Sequence, residues 1–168
     1  NFARDLVNEP GGVLTPSEFA KRVTAMARQS GLKVKGYEGA AIRRLKLGGL
    51  LGVNRGSTNP PRFVELEYRP TGRSKGTLAF VGKGLTFDSG GLSIKTMQGM
   101  MTMKCDMSGA AAVFGVSATI AHVRAVAAAG SELVRITDNI GEAVAAVADI
   151  RSARVLALLG DMITTDHI

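Results

Sequence analysis

Two aspartates and two lysines lie in one glycine-rich segment of the sequence, where their side chains could bind a metal ion. Asp88 and Asp106 supply carboxylates, and Lys83 and Lys95 supply amines. Carboxylates that converge from a loop and from the start of a helix are common ligands of divalent cations. A lysine beside them either loses its proton and binds the metal or stays charged as an electrophile. The spacing alone leaves an equal alternative, in which the four side chains form surface salt bridges around a flexible loop.

Two other kinds of site fit the segment less well. Glycines beside a lysine can bind phosphate through backbone N–H groups, but Lys83 precedes most of the glycines, whereas a Walker loop ends in Gly-Lys-Ser/Thr. Ser89 does not lie in the Gly-x-Ser-x-Gly sequence that exposes a serine nucleophile, and the chain has only two histidines. Phosphate binding and serine catalysis are therefore the weaker interpretations.

The elements on either side of the segment predict where these side chains lie. Thr77 to Val81 is a continuous apolar run, typical of a strand in the middle of a sheet that is covered on both faces. The glycine-rich loop would then follow the carboxyl end of that strand, which is where open α/β sheets bind ligands. Residues 106–129 predict a long alanine-rich helix, with Asp106 near its start.

The remaining pattern predicts an α/β fold with a mixed, mostly parallel sheet between two layers of helices. Helices are predicted at residues 1–9 and at about 16–30, the second with Thr15 as N-cap and Gly31 as its stop. Strands are predicted at Leu32 to Tyr37, Leu50 to Val53, Phe63 to Tyr68 (at a sheet edge) and Arg154 to Gly160, with a polar turn at Arg69 to Gly76.

Composition narrows the class of protein. A chain of 168 residues that is 45% hydrophobic suits one domain. One cysteine excludes an internal disulfide, the first residues lack the pattern of a signal peptide, and no apolar run approaches the roughly 20 residues of a membrane span. We therefore expect a cytoplasmic protein without a membrane partner.

The net charge of +7 comes from scattered basic residues without interleaved aromatics, which favours a solvated surface over a nucleic-acid site.

Two stretches of the chain resemble the signature of the leucyl aminopeptidase (cytosol aminopeptidase) family. They are Val81-Gly-Lys-Gly-Leu-Thr-Phe-Asp-Ser-Gly-Gly-Leu-Ser-Ile-Lys95 and Met103-Lys-Cys-Asp-Met-Ser-Gly-Ala-Ala111. Shorter matches at Ala3 to Pro10, Leu50 to Val53 and Pro60 to Arg62 extend the likeness over about residues 1–125. The resemblance implies the N-terminal part of a catalytic domain that removes N-terminal residues from peptides with two divalent metals, zinc or manganese.

The resemblance also implies a role for each of the four side chains. Lys83 matches a neutral-amine ligand of one metal, Asp88 the carboxylate that bridges both metals, and Asp106 a further ligand of the metal that Lys83 binds. Lys95 matches the catalytic lysine that polarises the substrate carbonyl. Family members form hexamers, so the resemblance implies a homo-oligomer that acts on peptides.

One part of the family's site is missing from this sequence. The family needs a later Asn-Thr-Asp-Ala-Glu-Gly-Arg segment for further metal ligands, and the chain contains no such segment. We therefore expect one well-held ion at most, and weak or no peptidase activity unless a partner chain completes the site. The alternative is a non-catalytic metal-binding or assembly domain. Cys105 replaces the family's usual glycine and would strain the backbone if φ there is positive.

The last part of the chain has a different sequence pattern. Residues 149–168 resemble the opening of the last domain of aconitase-type hydratases, in which the positions that match Asp166 and His167 lie at the active site. An aconitase cluster needs three cysteine ligands, and Cys105 alone cannot supply them. We expect an aminopeptidase-type domain over residues 1–130, an incomplete version of the family fold, and a tail over 131–168 that forms no independent domain.

Overall fold

The computed structural model describes residues 1–69, 77–128 and 155–160. Most of the predicted turn at residues 69–76 and the segment 131–148 lie outside them. The helices are α1 (Phe2–Asn8), α2 (Pro16–Gln29), α3 (Gly39–Arg44), α4 (Gly48–Val53), α5 (Met97–Met100) and α6 (Ser108–Ala128), with 3-10 turns at Asn54–Gly56 and Met103–Cys105. The strands are β1 (Lys33–Tyr37), β2 (Arg62–Glu67), β3 (Val81–Leu85) and β4 (Val155–Gly160). None of the helices in these ranges is long and apolar enough to span a bilayer.

The four strands form one mixed sheet in the order β1-β2-β4-β3. Strand β2 pairs antiparallel with both β1 and β4, and β3 pairs parallel with β4. The predicted α/β fold with a mixed sheet is confirmed, although only one of the three described pairings is parallel. Strand β2 lies inside the sheet, so its predicted edge position is wrong.

Helices pack on both faces of the sheet, as the predicted three-layer arrangement requires. Successive side chains of a strand point to opposite faces. Accordingly Val64 and Leu66 join the core formed with α2 and α6, while Phe63 joins a second cluster with Ile42 and Leu50 of α3 and α4. The sheet is therefore covered on both sides near β2.

Two strand predictions are wrong for identifiable reasons. Leu50 to Val53 is part of α4, because Leu50 and Val53 are three residues apart and are buried together, which is helical spacing. Short apolar runs do not distinguish a strand from a buried helix. The predicted strand at Thr77 to Val81 pairs only from Val81 onward, and β3 lies at the end of the described sheet. Leu78 and Val81 are both exposed, so this run is not covered on both faces.

The main core joins α1, α2 and α6 to the sheet. Thr15 caps α2 by accepting a hydrogen bond from the Glu18 N–H, and Gly31 ends it with φ +68°, as predicted. The rings of Phe19 and Phe114 meet edge to face with their centroids 5.7 Å apart, and both side chains are fully buried. This pair ties α2 to α6, and α6 in turn positions the residues of the glycine-rich segment.

Replacement of Phe114 by alanine should destabilise the protein strongly. The change removes a buried ring and leaves a cavity against Phe19, which costs about 3–5 kcal/mol of unfolding free energy. Urea denaturation measures this change. The matched control is Val116→Ala on the same helix, where the side chain is 45% exposed and the expected change is within about 0.5 kcal/mol. Equal effects of the two substitutions would contradict the described packing.

Candidate metal centre

Lys83 lies within strand β3, where the sequence predicted a loop. The strand includes Gly82, Lys83 and Gly84, and its two glycines are buried while the lysine side chain is half exposed. A glycine inside a strand often marks the close approach of another backbone. The loop prediction was therefore wrong because these glycines serve packing as well as flexibility.

The backbone of β3 meets the first turn of α6 almost directly. A Cβ atom added at Gly82 would lie 2.6 Å from both the Gly109 carbonyl oxygen and the Ala110 Cα. From the other side, a Cβ added at Gly109 would lie 3.1 Å from the backbone nitrogen of Lys83. Because Gly82 has no room for a side chain and Gly109 has little, these glycines allow the strand and the helix start to approach closely.

This contact brings Lys83 to Asp106, which lies two residues before the start of α6. The Lys83 Nζ lies 3.0 Å from the Asp106 Oδ2. The pair is not aligned as a hydrogen bond, so this buried oxygen has no hydrogen-bond partner. Burial raises the pKa of the Asp106 carboxyl; the positive charge of Lys83 opposes the rise, and the negative charge of Asp88 adds to it. Burial is thus the main cause of the raised pKa of Asp106, and Lys83 offsets it only in part.

Asp88 is the most deeply buried of the four side chains. The residue is 1% exposed. Its Oδ1 accepts a hydrogen bond of 2.9 Å from the Gly90 N–H, and its Oδ2 lies 3.4 Å from the Lys95 Nζ. A carboxylate this deep requires positive charge or several hydrogen bonds to remain ionised.

A tight turn fixes the backbone of Lys95 beside Asp88. The Lys95 N–H donates to the Ser89 carbonyl at 3.0 Å, and Gly90 and Ile94 form an antiparallel bridge. Gly90 has φ +91°, which side chains rarely tolerate, and a Cβ there would overlap the Ser93 carbonyl oxygen. The turn therefore depends on glycine at position 90.

The residues around Asp106 hold their positions without strain. Cys105 lies in a 3-10 turn, and its φ is not positive, so the strain considered for this cysteine does not occur. The Ser108 hydroxyl donates to the Cys105 carbonyl. The Lys104 Nζ donates to the Asn8 carbonyl at 2.8 Å and so links this turn to α1.

The structure thus brings all four predicted side chains together as two lysine–carboxylate pairs. The donors suit a divalent cation, because Zn²⁺ and Mn²⁺ accept carboxylate oxygens, and the Asp106 Oδ2 is a buried acceptor without a hydrogen-bond partner. Within the described ranges, no group of three or more histidine, cysteine, aspartate or glutamate side chains could hold a metal. The arrangement therefore fits part of a coordination shell.

Sequence reasoning missed the glycines that build this site. A side chain at Gly82 or Gly90 would clash with nearby backbone, and one at Gly109 would be tightly crowded. A glycine inside a strand or at the start of a helix indicates that another backbone approaches closely. It does not indicate which segment of the chain makes that approach.

Comparison with known proteins assigns the domain. The model of the cytosol aminopeptidase family, catalytic domain, matches residues 1–154. The chain belongs to the cytosol aminopeptidase family. The match continues past residue 125, where the resemblance was expected to end, and includes the first residues of the aconitase-like segment. The domain boundary at 130 and the aconitase likeness remain predictions.

Curated members of the cytosol aminopeptidase family are close in sequence over most of the chain. A probable cytosol aminopeptidase of Aquifex aeolicus is 48% identical over 124 residues, which are 74% of this chain and 25% of that protein. One from Chlorobaculum tepidum is 47% identical over 144 residues, which are 83% of this chain and 27% of the relative. The chain thus spans about a quarter of the length of these relatives.

Two solved structures share the fold of this chain. The bottromycin maturation enzyme BotP in complex with Mn has a TM-score of 0.74 and 38% identity, over 98% of this chain and 30% of that one. The leucyl aminopeptidase of Trypanosoma cruzi has a TM-score of 0.73 and 28% identity, over 99% of this chain and 28% of that one. The α/β domain therefore corresponds to one part of larger enzymes.

Substitution of Gly82 by alanine should disrupt the junction between β3 and α6. The added methyl would force the backbone of Gly109 and Ala110 away, at a cost of about 1–3 kcal/mol of unfolding free energy. Thermal and urea unfolding measure the loss. Gly52→Ala in α4 is the control, since a Cβ there meets nothing within 4 Å and should add up to about 1 kcal/mol of stability. A neutral Gly82→Ala would show that the two elements are not in contact.

Proposed function

We propose that this chain is a metal-dependent aminopeptidase-type domain that holds one divalent cation and carries part of a two-metal peptidase site. The observation that carries the proposal is the convergence of Lys83, Asp88, Lys95 and Asp106 at one place in a cytosol aminopeptidase fold. The chain spans about a quarter of the length of its relatives. Peptidase activity is therefore a proposal for this chain.

Lys83, Asp88 and Asp106 are the proposed metal ligands. Two carboxylates and one neutral amine offer oxygen and nitrogen donors, which suit Zn²⁺ or Mn²⁺. The Mn complex of BotP supports a divalent cation in this fold. When bound, such a cation lowers the pKa of water enough for attack on a peptide carbonyl near neutral pH. To act as a ligand, Lys83 must give up its proton, and its half-exposed amine allows that proton to pass to solvent.

Lys95 is the proposed catalytic residue. Its ammonium lies at the edge of the carboxylate cluster, and the turn from Ser89 to Lys95 fixes the start of its side chain. A charged donor placed in this way stabilises the negative charge that develops on the carbonyl oxygen of a peptide during attack. The proposed substrate is therefore a peptide whose first peptide bond lies against Lys95.

The site is incomplete within the described residues, so weak or no activity of this chain alone is part of the proposal. Two carboxylates are too few for a second well-held ion. The outer edge of β3 pairs with no other described strand. Next to the site, Leu92 is 97% exposed, and Ile94, Met97 and Met101 are exposed as well. Apolar side chains in such a group often mark a contact surface.

These exposed groups favour a second candidate function, a non-catalytic metal-binding or assembly domain. In either case a further chain would cover the apolar side chains, and self-association into a homo-oligomer supplies one. A cytoplasmic location accords with the names of the relatives, which are cytosol aminopeptidases. Nucleic acid is not a proposed partner.

Loss of the Asp88 carboxylate should weaken metal binding. In Asp88→Asn the buried carboxylate becomes a neutral amide, so the affinity for Mn²⁺ should fall by at least about tenfold, as measured by isothermal titration calorimetry. Asp5→Asn on α1 is the control, because it removes the same charge from an exposed position. Equal affinities of Asp88→Asn and the wild-type chain would refute the proposed ligand.

Hydrolysis of a chromogenic leucine substrate with added Mn²⁺ or Zn²⁺ separates the two candidates. Turnover that requires metal and disappears in Lys95→Ala supports the peptidase. Metal binding without turnover under any metal, together with a stable oligomer by light scattering, supports the assembly domain. Turnover that persists after removal of metal by a chelator contradicts both.

A further inference from the structure

We infer that Lys95 is an internal counter-ion of Asp88 that competes with the metal for this carboxylate. In the metal-free protein its ammonium neutralises Asp88, and it must leave when a divalent cation binds. The inference rests on the proposed function, because it takes Asp88 to be a metal ligand. It assigns Lys95 a role before any substrate arrives.

Burial of Asp88 is the reason that a counter-ion is needed. The carboxylate is 1% exposed, so water contributes little to its solvation. An isolated charge in such a place is costly, and folded proteins avoid it by pairing or by protonation. The Gly90 N–H supplies one hydrogen bond, to Oδ1. The charge that offsets the carboxylate comes from Lys95, whose Nζ lies 3.4 Å from Oδ2.

The same oxygen serves the lysine and would serve the metal. Oδ1 already accepts the Gly90 N–H, so Oδ2, which faces Lys95, is the oxygen with less support from the backbone. A carboxylate oxygen binds Zn²⁺ at about 2.0–2.2 Å. With the ammonium still 3.4 Å from that oxygen, the two cations would be less than about 6 Å apart in a poorly solvated site, where like charges repel strongly. The lysine and the metal therefore compete for Oδ2.

Lys95 can leave without unfolding its surroundings. Its backbone is held by the hydrogen bond to Ser89, but the side chain is 28% exposed and ends in a flexible four-carbon stem. Rotation of this stem would carry the ammonium to solvent or to a bound peptide. The Lys83–Asp106 pair differs, since both side chains are more exposed than Asp88 and their attraction is better screened by water.

The competition links metal loading to the availability of the proposed catalytic lysine. While Asp88 lacks a metal, Lys95 is engaged with it and cannot serve a substrate carbonyl. A metal on Asp88 frees the ammonium. By thermodynamic linkage, the lysine–aspartate pair weakens metal binding by the same factor by which a bound metal weakens the pair.

Neutralisation of Lys95 should therefore tighten metal binding and weaken the metal-free protein. The test compares the purified full chain with Lys95→Gln by calorimetric titration of Mn²⁺ and by thermal unfolding in excess chelator. We expect affinity at least about fivefold higher for Lys95→Gln, and a melting temperature several degrees lower with chelator, because Asp88 loses its partner. Lys95→Arg keeps the charge and should bind no more tightly than wild type. Lys21→Gln on α2, an exposed lysine paired with Glu18, is the control for net charge.

The outcomes separate this inference from the proposed function. If wild type binds Mn²⁺ and Lys95→Gln binds it equally or more weakly, the competition is refuted and the metal site stands. If neither protein binds Mn²⁺, both proposals fail. Should Lys95→Gln not fold, reductive methylation of the wild type followed by mass spectrometry replaces it. Lys95 should then react faster with Mn²⁺ than with chelator, and an unchanged rate would refute the inference.

Discussion

The contact between β3 and the first turn of α6 is the constraint on which the rest of this site depends. Gly82 and Gly109 allow the two backbones to touch; a side chain at Gly82 would force them apart, and one at Gly109 would be tightly crowded. Since Lys83 follows Gly82 and Asp106 precedes Gly109 by three residues, the contact places an amine and a carboxylate 3.0 Å apart. The Phe19–Phe114 pair holds α6 against α2 behind this junction. Packing in the core of the domain therefore determines the distance between Lys83 and Asp106.

The electrostatics of the site follow from the same geometry. Two carboxylates are drawn into a partly desolvated region, where burial and mutual repulsion raise the pKa of Asp106. Each carboxylate has one lysine beside it, so the cluster is close to neutral without a metal. Such pairs could be read as salt bridges and nothing more. The burial of Asp88 and the acceptor left open on Asp106 favour a cation site, and membership in the cytosol aminopeptidase family gives that interpretation a chemical context.

The sequence predicted the parts of this domain that depend on local signals. Thr15 and Gly31 marked the ends of α2 because capping and positive φ are properties of single residues. The run at Leu50 to Val53 was read as a strand, since four apolar residues carry no period by which to identify a helix. The types and spacing of the four candidate site residues drew attention to them, and the family resemblance supplied the metal-site interpretation. The sequence did not predict which lysine pairs with which aspartate. That pairing depends on the approach of β3 to α6, which cannot be predicted from either segment by itself.

Anomalous diffraction from crystals of the chain grown with Mn²⁺ tests the central claim most directly. The account predicts one manganese peak per chain, bounded by the Asp88 Oδ2, the Asp106 carboxylate and the Lys83 Nζ, with the Lys95 ammonium withdrawn from Asp88. A peak elsewhere on the surface, or none while Lys95 remains against Asp88, would contradict it.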